Sequence, residues 1–143
     1  MSLTEQLYGG ESLESSNAYF LVGVYYFEQQ IVQKSIACFS KSLSIRQSKL
    51  GKTSASCSDC LLNLGLIYKQ QGLISRSRQS FAECIEIRKN ALGSKSVLVA
   101  KALEELGKLN LEESLFVESF ANLKESYGIF NGLANCEEEA ERI

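Results

Sequence analysis

Apolar residues recur at spacings of three and four along most of this chain, in stretches separated by short polar breaks. The pattern is fullest between Ser54 and Gly93. An apolar run, Leu61-Leu62-Asn63-Leu64-Gly65-Leu66-Ile67-Tyr68, meets a break at Gln70-Gln71-Gly72, and Phe81, Ile85, Ile87 and Leu92 then lead to Gly93. Such spacing puts one apolar stripe on each of two helices. Shifted by 42 residues, the stretch meets itself. Gly65 falls on Gly23 and Gly107, Gly93 on Gly51 and Gly9, and Ser77 on Ser35 and Ser119. Phe81 falls on Phe39 and Leu123, and Tyr68 on Tyr26. Six glycines in two registers at one spacing mark a helical-repeat array.

The spacing predicts one all-α domain over residues 1–143, an α-solenoid of about three helix-turn-helix repeats near 11–51, 53–93 and 95–135. Within them it predicts helices near Ser12–Gln30, Val32–Leu50, Ser54–Gln71, Ile74–Leu92, Lys95–Ser114 and Phe116–Leu133. Ser12 is an N-cap candidate, and Gly51 is placed to end its helix in a left-handed cap. Partial helices are expected at 1–8, with Leu3 and Leu7 as a stripe, and at 136–143, where acidic residues suit a helix start. An incomplete first helix reads as a start within a longer array. The third repeat is the weakest. Asn110 replaces the tyrosine, and Gly128 and Gly132 fall inside a helix at about 1 kcal/mol each relative to alanine. No strand alternation or hairpin dipeptide competes with this reading.

Composition narrows the function. The net charge of −2 comes without a Lys/Arg cluster, so the footprint of a nucleic-acid binder is missing. No apolar run is long enough to span a membrane, and Thr4-Glu5-Gln6 interrupts any signal-like core. The chain has no histidine, the usual general base and metal ligand, and no proline to break a helix. Its five cysteines do not form an even disulfide framework, which points to a reducing, intracellular and cytoplasmic setting.

Small and large residues follow one order in each unit. The second has Leu61, Leu64, Gly65, Tyr68, Ser77, Phe81 and Cys84. The first has Tyr19, Val22, Gly23, Tyr26, Ser35, Phe39 and Ser42, and the third Leu103, Leu106, Gly107, Ser119, Leu123 and Ser126. This order resembles the tetratricopeptide repeat. The longer unit, with Ile87-Arg88 and Ala91-Leu92-Gly93 and a looser match at Ile45-Arg46 and Lys49-Leu50-Gly51, resembles its kinesin light chain type. The resemblance implies close helix approach at Gly65, with Phe81 filling the space between units. It also implies a non-enzymatic adaptor or scaffold that binds another protein, as a peptide or helix, in a concave groove. The alternative is a structural subunit or fragment that docks end-on or self-associates through exposed terminal repeats within a larger cytoskeletal, motor or ciliary assembly. Truncated helices at both ends would leave apolar faces open for this. The proline usual between such units is missing here.

By the same resemblance the first helix of each unit lines the groove. Helical spacing puts Asn17, Phe20, Leu21, Val24, Phe27 and Glu28 there in the first unit. Asp59, Leu62, Asn63, Leu66, Lys69 and Gln70 follow in the second, then Lys101, Glu104, Glu105, Lys108 and Glu112 in the third. The groove is thus apolar at one end and charged at the other, fit for a peptide with an apolar anchor. The plainer reading has Phe20, Leu21 and Phe27 covered by a preceding helix that is missing here, or packing against their neighbours. Asn63, alone among leucines, either offers its amide to a ligand backbone or bonds a neighbouring helix. Asn63 and Lys101 match a carboxylate-gripping pattern, but Glu105 repels a carboxylate, so chaperone-tail binding is rejected. Cys57-Ser58-Asp59-Cys60 is a lone C-x-x-C, and Cys60 shares its register with Ala18 and Ala102, so both cysteines read as packing. No phosphate loop, catalytic set, metal site or cofactor site is expected, and Glu137-Glu138-Glu139 reads as a solvated helix start.

Overall fold

A computed structural model describes residues 11–141, with side chains as far as residue 133. The expected helix over 1–8 lies outside the described residues. Six helices follow in order: α1 Leu13–Glu28, α2 Val32–Leu50, α3 Ala55–Gln70, α4 Ile74–Leu92, α5 Val97–Glu112 and α6 Phe116–Glu141. No strand occurs among the described residues. The chain forms two compact units, one through Ile87 and one from Arg88. Their boundary falls inside α4, not at a repeat end.

In the first unit, α1 begins where Ser12 accepts a hydrogen bond from the Ser15 amide at 3.1 Å. It packs on α2, and α2 in turn on α3. At the centre are Phe39, Leu64 and Ile67, with Phe20, Val24, Phe27, Val32, Ile36, Leu43 and Tyr68 packed around them. Phe39 and Ile67 are wholly buried, and each contributes about 1.5–3 kcal/mol by leaving water. Gly23 lies against the Phe39 ring, and Gly65 against that of Phe81. In the second unit α5 packs on α6 with Gly107 against Leu123. The three glycines therefore sit in like surroundings.

A hydroxyl clasp repeats with them. Ser35 donates to the carbonyl of Gly23 at 2.8 Å, Ser77 to that of Gly65 at 2.7 Å, and Ser119 to that of Gly107 at 2.9 Å. A second clasp joins Ser42 to the carbonyl of Ser16 at 2.9 Å and Ser126 to that of Ala100 at 2.7 Å. Small side chains here let the helices come close enough for a short hydroxyl to bond the facing backbone.

The turn inside each repeat also recurs. Gln30, Gly72 and Ser114 have φ of 60°, 80° and 62°. After each comes a six-residue backbone bond, Ile31 to Tyr26 at 2.8 Å, Leu73 to Tyr68 at 2.9 Å and Leu115 to Asn110 at 2.8 Å. This is the Schellman ending, and only the second repeat supplies it with glycine.

Three expectations need correction. Gly51 has positive φ, 92°, but its ψ of 154° is extended, so it ends α2 in a conformation open to glycine and not in a left-handed cap. Ser54 and Ser96 are N-caps, so α3 and α5 start one and two residues later than spacing suggests. Residues 136–141 continue α6 and do not open a new helix. Asn135 stands where Gly51 and Gly93 stop their helices, so no positive-φ glycine interrupts α6.

Candidate protein-binding face

The first helices place their expected groove residues unevenly. In the first unit Asn17 and Leu21 are exposed, Leu21 at 68%, while Phe20, Val24 and Phe27 are half-buried. Those last three pack on the core, so they serve the fold first. Phe20 meets Phe39 edge-on, with ring centroids 5.3 Å apart. Glu28 and Gln70 are exposed, and Asp59, Leu62, Asn63, Leu66 and Lys69 are half-buried on α3. Asn63 donates its amide to the carbonyl of Asp59 at 2.8 Å, one turn back on its own helix. It reaches no neighbouring helix through that bond, and its carbonyl oxygen is left to accept.

In the second unit Lys101 and Lys108 are exposed on α5, as is Glu112, with Glu104 and Glu105 half-buried. Lys108 pairs with Glu104 at 3.2 Å and Glu105 at 3.9 Å. The hydrogen bond to Glu104, helped by the charge of Glu105, pushes the ammonium pKa up. On α5 these three charges are thus engaged with one another. Solvent-exposed pairs of this kind add little stability.

Arg46 is the residue that sequence reasoning left out. Buried on α2, it donates through Nε to Ser16 at 2.9 Å, through Nη2 to Asn17 at 3.3 Å and through Nη1 to the Ser56 carbonyl at 2.8 Å. Its guanidinium also lies over the Phe20 ring, 4.9 Å from the centroid. One side chain therefore ties α1, α2 and the start of α3 together, and it holds two residues expected to face a ligand. In the second unit Arg88 donates to the Leu98 carbonyl at 2.9 Å, the same contact one repeat later. The signal was present in the sequence as Ile45-Arg46 recurring at Ile87-Arg88.

The four cysteines whose side chains are described are packing residues. Cys57, Cys60 and Cys84 are buried and Cys38 half-buried, and all four are free thiols. Burial pushes the Cys57 and Cys60 thiols up, in Cys60 against the lowering effect of its Ser42 hydrogen bond and nearby Arg46. Among the described residues no group of three or more histidine, cysteine or acidic side chains is placed to hold a metal ion. None of the described helices is long and apolar enough to cross a membrane.

Residues 26–90 match the tetratricopeptide repeat family. No curated protein sequence matches the chain. Among solved structures, the fold is similar to BtubC (BKLC) from P. vanneervenii, with TM-score 0.84 at 16% identity, covering 91% of this chain and 52% of that one. It is also similar to nearly identical TPR-like repeats of kinesin light chain type from Podosopora anserina, with TM-score 0.71 at 15% identity, covering 83% of this chain and 56% of that one. A substituted form of the same repeats gives 0.69, again at 15% identity, over 90% and 57%. The chain carries a tetratricopeptide-repeat match over residues 26–90, a little under half its length, within a helical-repeat fold. Its fold is the one kinesin light chain-type repeats adopt, and it spans little more than half the length of these structures.

Proposed function

We propose that this chain is a non-enzymatic adaptor or scaffold that takes an apolar-anchored peptide or helix on the first-helix face of its first unit. The observation that carries this reading is the row of incompletely buried apolar side chains on α1 and α3, namely Leu21, Val24, Phe27, Leu62 and Leu66, with Asn63 among them. Apolar anchors gain by entering such a face, and the free carbonyl oxygen of Asn63 gives a backbone amide something to donate to. The family resemblance supports a protein partner, the odd cysteine count supports an intracellular, cytoplasmic setting, and the want of a Lys/Arg cluster speaks for protein over nucleic acid.

Selecting peptides from a displayed library and titrating the best binder tests this. Leu21→Asp and Leu62→Asp should each weaken it at least tenfold. Unchanged affinity in both variants overturns the reading. A second reading, a subunit that self-associates or docks end-on in a larger cytoskeletal, motor or ciliary assembly, draws support from the bare aromatics of α6.

A further inference from the structure

Helix α6 leaves a row of large apolar side chains in water. Phe116 is 64% exposed, Phe120 68% and Tyr127 71%. Two repeat lengths earlier the same register holds Val32, Ile36 and Leu43 on α2, and those pack against the cluster of Phe39, Leu64 and Ile67. Leu64 and Ile67 belong to α3. These positions are therefore where the second helix of one repeat receives the first helix of the next.

The mating half is also bare. One repeat before Leu64 and Ile67 stand Val22 and Tyr25 on α1. Leu64 is 4% exposed and Ile67 fully buried, yet Val22 is 36% and Tyr25 57% exposed. The described chain thus shows both halves of a joint that it closes once within its first unit, and each half is more aromatic than its internal counterpart.

We propose that a second copy of this chain docks at α6, placing its α1 face, Val22 and Tyr25, against Phe116, Phe120 and Tyr127. The proposal rests on the second reading above, not on the peptide-binding face. The contact is heterologous, one face on a different face, as in head-to-tail association. What recommends α1 as the occupant is register: the α6 positions call for a first helix bearing bulky apolar residues where Leu64 and Ile67 lie, and α1 carries them. Arg46, which bonds the Ser56 backbone across the internal joint, is replaced at its register on α6 by half-buried Phe130. The contact between copies is therefore sealed by apolar surface, and association should persist in high salt.

Sedimentation equilibrium tests it with two exposed-site variants, Phe120→Asp on α6 and Tyr25→Asp on α1, each first shown to retain helical circular dichroism. The wild-type chain should gain mass with concentration, and each variant alone should stay monomeric. An equimolar mixture should form a one-to-one dimer, because one variant keeps a sound α1 and the other a sound α6. A monomeric wild type overturns the proposal. So does self-association of either variant alone, which would mean a like-on-like contact, and so does a mixture that stays monomeric. Peptide affinity on Leu21 is read separately, so failure here leaves the binding face standing.

Discussion

A Cβ placed on Gly65 would stand 2.6 Å from Cε1 of Phe81, closer than any real side chain tolerates. The ring is wholly buried and has little freedom to retreat. Gly65→Ala should therefore destabilise by roughly 1–2 kcal/mol, overpacking outweighing the gain of about 1 kcal/mol that alanine brings to a helix. At Gly23 the nearest ring atoms lie at 3.2 Å, so Gly23→Ala should be close to neutral. Urea denaturation of both variants checks the order. Phe81→Leu should recover part of the Gly65→Ala loss in a double-mutant cycle, because the two residues share one space.

Gln30 adopts φ of 60°, a left-handed conformation that costs an ordinary residue about 1–2 kcal/mol. Gly72 holds the same register position without that cost. Gln30→Gly should stabilise by roughly 0.5–1 kcal/mol, after allowing for glycine's greater freedom in the unfolded chain. The urea midpoint should rise with its slope unchanged. Stability equal to or below wild type would contradict it.

Arg46→Lys keeps the charge and loses the fork. A lysine cannot serve Ser16, Asn17 and the Ser56 carbonyl at once, and hydrogen bonds from a charged group are worth about 1.5–3 kcal/mol. A loss of about 2 kcal/mol in thermal or urea unfolding is expected. A peptide read on Leu21 should also bind more weakly, since Asn17 and Phe20 lose the group that holds them.

Cys57 and Cys60 should react slowly with a thiol reagent in the folded protein and quickly once it unfolds. Burial raises both thiols above the ordinary value of 9.0. The unfolded chain ionises at that lower, ordinary value. The stabilising contribution is therefore complete below it and is lost as pH rises through the folded values. A Cys57→Ser/Cys60→Ala variant should lose less stability over that alkaline range, as followed by denaturant titration at several pH values.

The helices and their pairing were legible because packing repeats. Gly23, Gly65 and Gly107 recur with the serines that bond their carbonyls and the large residues that cover them, and that recurrence needs no partner to interpret. The candidate face was legible only as helical positions. Nothing in the spacing says that Asn63 bonds back to the Asp59 carbonyl, since that choice depends on side-chain torsion. Nor does spacing show Arg46 pulling Asn17 and Phe20 into the framework, because it joins three helices distant in sequence. Left-handed Gln30 was hidden for another reason: glycine normally announces that turn, and here the six-residue backbone bond holds a glutamine in it.

In all three hairpins the serine hydroxyl grips a main-chain oxygen. That acceptor survives every substitution at its position, so one half of each clasp cannot be lost to mutation. Only the donor and the room around it must be kept. Repeat units built this way can diverge widely in sequence while their helices stay at the same separation, which fits a fold retained at 16% identity.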